Sequence, residues 1–211
     1  MEQQQVLLQV QQEPQALLTT PADAQLLKGR DKWLGGELGK DGLVYGVPGS
    51  AKTVLRIDPK TGRMDSIGSV KGPTVTCAYD RCQFKWLRGA LAADGAIYGV
   101  PSNADQVLRV VPDTGEVSVL GGPYKGYWKW HGGVLARDGC IYSVPCNAEQ
   151  VLKIDVATQE VSLIGPTLEG QQKWYGGLLG GDGCVYCIPN CATSVLKIDP
   201  GTQEVVRIGE G

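Results

Sequence analysis

The chain has 211 residues with 20 basic and 22 acidic side chains, a formal charge of -2, and carries no basic surplus for nucleic acid or an anionic membrane. Thirty glycines and twelve prolines against one Phe and two Met describe a chain full of turns. No apolar run nears the ~20 residues that span a bilayer, so no membrane span is expected.

The first 31 residues stand apart as an N-terminal arm. They are rich in Gln and lack the basic n-region of a secretory signal. Thr20 as N-cap, Pro21 at the first helical position, Asp23 and the stop at Gly29 predict a short helix over 20–28. A second reading takes Val6 to Pro21 as a decayed half-repeat, since it matches Val151 to Pro166 in length.

From Lys32 onward the chain repeats itself. Lys-Trp recurs with Trp33, Trp86, Trp130 and Trp174, spaced 53, 44 and 44 residues apart. Asp-Gly follows at Asp41, Asp94, Asp138 and Asp182, then Tyr45, Tyr98, Tyr142 and Tyr186, each with Pro three residues later. "TVLRID", "QVLRVV", "QVLKID" and "SVLKID" come next, and "RMDSIG", "EVSVLG", "EVSLIG" and "EVVRIG" close the units. This is a fourfold repeat of about 44 residues.

Each unit predicts four short strands. "GGVLA" and "CIYSVP" flank an Asp-Gly hairpin turn, and "QVLKID" and "EVSLIG" flank a second turn. Units of this length with Gly and aromatic marks at fixed places are the signature of propeller blades. The expected fold is all-β: an arm over 1–31 and a β-propeller domain over 32–211, with four-stranded blades at 32–84, 85–128, 129–172 and 173–211. Whether four blades close alone is left open, and an open array would expose apolar edges to self-association or a partner.

The unit resembles the β-propeller repeat "KWxGGxLxxDGxIYxxPxxxxxVLxIDxxTxEVxxIG" of tandem-repeat proteins in microalgae and other protists, over Lys32 to Gly211. It shares traits with kelch and NHL-type blades, but here Trp precedes the Gly pair. The resemblance implies a propeller with a binding or scaffolding role and transfers no catalytic residue. Two departures stand out: nine extra residues within "VKGPTVTCAYDRCQF", and Arg88 in place of the first Gly of the pair.

Residues present in every copy read as structural, and departures mark candidate sites. The four Trp read first as blade packing, and alternatively as stacking faces for a sugar or other flat ligand. "GGPYKGYWKWHGG" is the most aromatic segment, so Tyr124, Tyr127, Trp128, Trp130 and His131 are expected to form an interaction surface. His131 is the lone histidine, with no second imidazole to share a metal and no acid fixed beside it. Cys184 and Cys187, three apart on a strand, point to opposite faces and cannot chelate together, and Cys191 lies beyond them. Cys77 and Cys82, in the inserted loop, are the candidate disulfide. Glu37, Asn103 and Asn147 make a weak oxygen-ligand set, against which Asn in a turn is the better reading.

The leading expectation is a non-catalytic scaffold or accessory subunit that contacts other protein subunits or itself, with no cofactor, metal, catalytic residue or nucleic-acid partner. A ligand-binding propeller using the Trp residues is the alternative, and a metal-dependent hydrolase the third.

Overall fold

The structure is a computed structural model and describes residues 26–70, 76–77 and 82–209. The expected helix over 20–28 falls mostly on residues outside these, as does the half-repeat from Val6 to Pro21. Among the described residues all sixteen elements are strands.

Blade one comprises β1 (Trp33–Leu38), β2 (Val44–Pro48), β3 (Val54–Ile57) and β4 (Met64–Ile67). Blade two comprises β5 (Trp86–Leu91), β6 (Ile97–Pro101), β7 (Val107–Val111) and β8 (Glu116–Leu120). Blade three comprises β9 (Trp130–Leu135), β10 (Cys140–Pro145), β11 (Val151–Asp155) and β12 (Val161–Ile164). Blade four comprises β13 (Trp174–Leu179), β14 (Val185–Pro189), β15 (Val195–Asp199) and β16 (Glu204–Ile208). Every blade is an antiparallel meander in sequence order. The chain is a four-bladed β-propeller array.

Local chemistry explains the meander. Gly42, Gly95, Gly139 and Gly183 take φ of +81° to +85° in the first turn, which the Asp-Gly dipeptide permits without a Cβ penalty. The preceding Asp accepts the Tyr hydroxyl across the hairpin: Tyr45 to Asp41 and Tyr142 to Asp138 at 2.7 Å, Tyr98 to Asp94 at 2.9 Å. Its other oxygen accepts the N–H two residues on, as in Cys140 to Asp138 at 3.0 Å. Turn and strand are thus tied by one carboxylate.

The core lies between blades. Tyr45, Val47 and Val54 of blade one pack on Trp86, Ile97, Leu108 and Val110 of blade two. Tyr98, Val100 and Val107 likewise pack on Trp130, Ile141, Leu152 and Ile154. Tyr142, Val144 and Val151 meet Trp174, Val185, Cys187, Leu196 and Ile198. Each blade therefore has a front face for the next blade and a back face for the one before. Inner strands touch in the series β1, β5, β9, β13, and among the described residues no comparable contact returns from β13 to β1. Among the described residues the array is an open arc.

Candidate functional site

The recurring Lys-Trp pair is where blades are joined. Each indole N–H donates within its own blade, to the carbonyl twenty residues on: Trp33 to Thr53, Trp86 to Gln106, Trp130 to Gln150 and Trp174 to Ser194, at 2.8–2.9 Å. Trp86, Trp130 and Trp174 are buried, and Trp33, with no blade before it among the described residues, is half-buried. Three of the four rings therefore offer no face to a flat ligand.

The lysines carry a role that the sequence reading did not assign. Lys85 Nζ donates to Gly49 O and Ala51 O of blade one, both at 2.8 Å. Lys129 Nζ donates to Ser102 O of blade two at 2.7 Å and to Gly126 O at 3.1 Å. Lys173 Nζ donates to Ala148 O of blade three and Gly170 O, both at 3.0 Å. These ammonium groups are buried, and burial pulls Lys85 and Lys129 down to about 8. Their partners are carbonyls that the sheets leave over, so each charge closes a blade junction.

Asn103 and Asn147 serve the same junctions. Asn103 Nδ2 donates to Gln83 O at 3.0 Å while its Oδ1 accepts the Trp128 N–H at 2.8 Å. Asn147 does likewise with Tyr127 O at 3.1 Å and the Gln172 N–H at 2.8 Å. Their amides are thus spent on backbone. Glu37 lies apart from them on β1, against blade two, where burial raises its carboxyl above the usual range. The oxygen-ligand set does not assemble, and among the described residues no three His, Cys, Asp or Glu side chains converge as a metal site.

The five residues expected as an aromatic surface are dispersed. Trp130 is core, and Tyr124 packs edge-on against it at 5.6 Å. Trp128 is half-buried with its ring 5.0 Å from Phe84. His131 is buried and stacked on Tyr175 of blade four at 3.3 Å, where burial and the charge of Arg88 push it down to about 4. Only Tyr127 is exposed. The reason is the interblade connector, whose aromatics fill the junction they cross instead of facing solvent.

The departures take ordinary structural places. Cys77 and Cys82 form a disulfide within the insertion, with Cα atoms 5.3 Å apart. Cys184 and Cys187 are both buried, and Cys187 faces blade three. Cys191 is exposed. Arg88 lies beside Gly35 and Gly132 on the inner strands, with its side chain exposed. Asp105, fully buried, ties the insertion to the next connector by bonds from Thr76 Oγ1 at 2.6 Å and Lys125 Nζ at 2.5 Å.

What remains is the open end. Val47, Val100 and Val144 occupy one position on the front faces of blades one to three and are at most 2% exposed. Their counterpart on blade four, Ile188, is 48% exposed, and Leu178 beside it on β13 is 69% exposed. The counterparts of Ile188 are buried and those of Leu178, Glu37, Ala90 and Val134, are buried or half-buried, so these two exposed aliphatic side chains make the front of blade four the candidate functional surface.

No protein-family model and no curated protein matches the sequence. Solved structures do share its fold. Virginiamycin B lyase from Staphylococcus aureus is similar over 90% of this chain and 57% of its own, with 17% identity and a TM-score of 0.66. Hydrazine synthase of Kuenenia stuttgartiensis matches 83% of this chain and 48% of its own, at 18% identity and a TM-score of 0.60. An auxiliary nutrient binding protein from Bacteroides ovatus matches 85% of this chain and 42% of its own, at 13% identity and a TM-score of 0.57. The chain spans about half the length of these proteins. Such identities establish a shared fold, on which a lyase, a synthase and a binding protein have all been built.

Proposed function

We propose that this chain is a non-catalytic propeller scaffold or accessory subunit whose working surface is the open end of the blade array. One observation carries the reading: Ile188 is 48% exposed where Val47, Val100 and Val144 are covered by a following blade. Burying such a surface contributes ~25 cal/mol per Å², and the partner that buries it has a ready apolar anchor.

The polar inventory supports the same reading. The lysines, the two asparagines and the Tyr–Asp pairs act inside or between blades, and His131 is stacked and buried. The ligand-binding alternative keeps only Trp33 of its four stacking platforms, because Trp86, Trp130 and Trp174 are buried.

A photo-reactive side chain placed at Leu178 tests the proposal in an extract of the source cells. Cross-linking into protein at position 178 and not at the exposed control position Glu160 is expected. Equal labelling at the two positions would remove the end face as the working surface.

A further inference from the structure

We propose that two copies of this chain dock head to tail, the front face of blade four of one copy covering the back face of blade one of the other. This rests on the end face being a protein-binding surface and names what binds it.

The two ends are complementary because the three junctions inside the chain already join such faces. At each junction a valine of the earlier blade reaches a glycine on the inner strand of the next. A Cβ on Gly89, Gly133 or Gly177 would lie 3.1, 2.8 or 3.0 Å from a methyl of Val47, Val100 or Val144. The glycine is required there, since any side chain would displace the valine. Gly36 holds this position in blade one, and a Cβ on it would meet only Val44 and Tyr45 of its own blade. Among the described residues nothing fills its socket, and Ile188 at the far end is a knob that no described blade receives.

The polar half of the junction is present too. The backbone N–H groups of Lys85, Lys129 and Lys173 donate to Gly49 O, Ser102 O and Cys146 O of the blade before, at 3.0–3.1 Å. The equivalent carbonyl on blade four belongs to Asn190, and the equivalent lysine is Lys32. Lys32 Nζ now rests on the carbonyls of Leu27 and Gly29, in its own connector. In the docked pair Lys32 closes a fourth type of junction with Asn190 and Ala192 of the second copy, as Lys129 does with Ser102. Each end of one copy meets the opposite end of the other, so the contact is heterologous, and in the docked pair it is made twice, within one eight-bladed array.

Light scattering behind size exclusion on the full chain, at high micromolar concentration, is the test. A mass twice the 22.5 kDa of one chain is expected. Ile188→Lys should return it to one chain with unchanged circular dichroism and melting temperature, because position 188 is exposed within the single chain. A wild type that runs as one chain, a ladder of larger masses, or a pair that survives Ile188→Lys would each overturn the proposal. A second readout locates the contact. Chains carrying Gly36→Cys and chains carrying Ile188→Cys, both in a Cys191→Ser background, should form a mixed disulfide only when combined. If Gly36→Cys does not fold, the mass comparison decides alone. A single-chain mass together with persistent cross-linking from Leu178 would sink self-pairing and leave the scaffold reading standing. Loss of both would sink both.

Discussion

The ammonium of Lys129 reaches across a blade junction to the carbonyl of Ser102, 2.7 Å away and 27 residues back in the chain. Burial of that charge among carbonyls, with no carboxylate bonded to it, ties two sheets that share no strand pairing. The structure repeats the arrangement at Lys85 and Lys173.

Lys129→Met should therefore cost about 1–2 kcal/mol in denaturant unfolding at pH 7, the order expected for losing the two ammonium bonds to Ser102 O, which keeps the backbone N–H of residue 129, and Gly126 O, partly offset by removal of a desolvated charge. The gap should change with pH in a set direction. Lys129 is held at about 8 in the fold against ~10.4 when unfolded. Below pH 8 both states bind the proton and the gap is constant. Between pH 8 and 10.4 only the unfolded state keeps it, so wild type gains on the variant by up to ~1.4 kcal/mol per pH unit. A gap that narrows in this window would contradict the assignment.

Tyr142 and Tyr186 occupy the same position in successive blades but in different surroundings. Tyr142 donates to Asp138 at 2.7 Å and accepts from Gln203 Nε2 of blade four at 2.7 Å, fully buried. Tyr186 makes only the first of these bonds, to Asp182, on the open face. Tyr142→Phe should lower stability by about 1–2 kcal/mol and Tyr186→Phe by less than half of that, measured side by side in urea. Equal losses would mean that the blade-to-blade bond contributes nothing.

Much of the fold was legible because its punctuation is local. Asp-Gly sets a left-handed glycine, Tyr marks the strand after it, and both recur in step. Less legible were properties set by distant neighbours. All five residues of β6 are buried, which breaks the one-face alternation expected of a half-buried strand, because blades pack on both its sides. The carbonyls of the preceding blade held by Lys85 and Lys129 lie 27 to 36 residues back, and no local pattern marks them. Tyr124, Trp128, Trp130 and His131 look like a surface by adjacency, but sequence gives their order and not their direction. Ile188 differs from Val144 by one methylene, so its exposure reflects that no described blade packs on it and not its own side chain.

Thiol accessibility separates the cysteines sharply. Cys140, Cys146, Cys184 and Cys187 are buried, and burial pushes the Cys140 thiol up to about 11 and the Cys187 thiol to about 12. Brief alkylation of the native, unreduced protein should modify Cys191 alone, counted by mass spectrometry. Adding reductant should open Cys77 and Cys82 to two further modifications. The stability lost with that short loop should be at most ~2 kcal/mol. Prompt native labelling of Cys184 or Cys187 would mean that the third junction opens readily.

His131 gives the chain an acid-side dependence with a definite sign. Its folded value of about 4 lies below the ~6.5 of an unfolded histidine, through burial and then the neighbouring charge of Arg88. Above pH 6.5 neither state binds the proton and the residue has no pH effect. As pH falls from 6.5 to 4 the unfolded state takes up a proton that the fold refuses, so stability declines. Leu34 and Leu87 hold the same position in blades one and two. His131→Leu should thus fold, lose the stack on Tyr175, and flatten the stability profile between pH 6.5 and 4 while leaving pH 8 nearly unchanged. Thermal melts of both proteins across that range decide it: parallel curves would mean that His131 is charged in the fold and that some group outside its stack on Tyr175 compensates it.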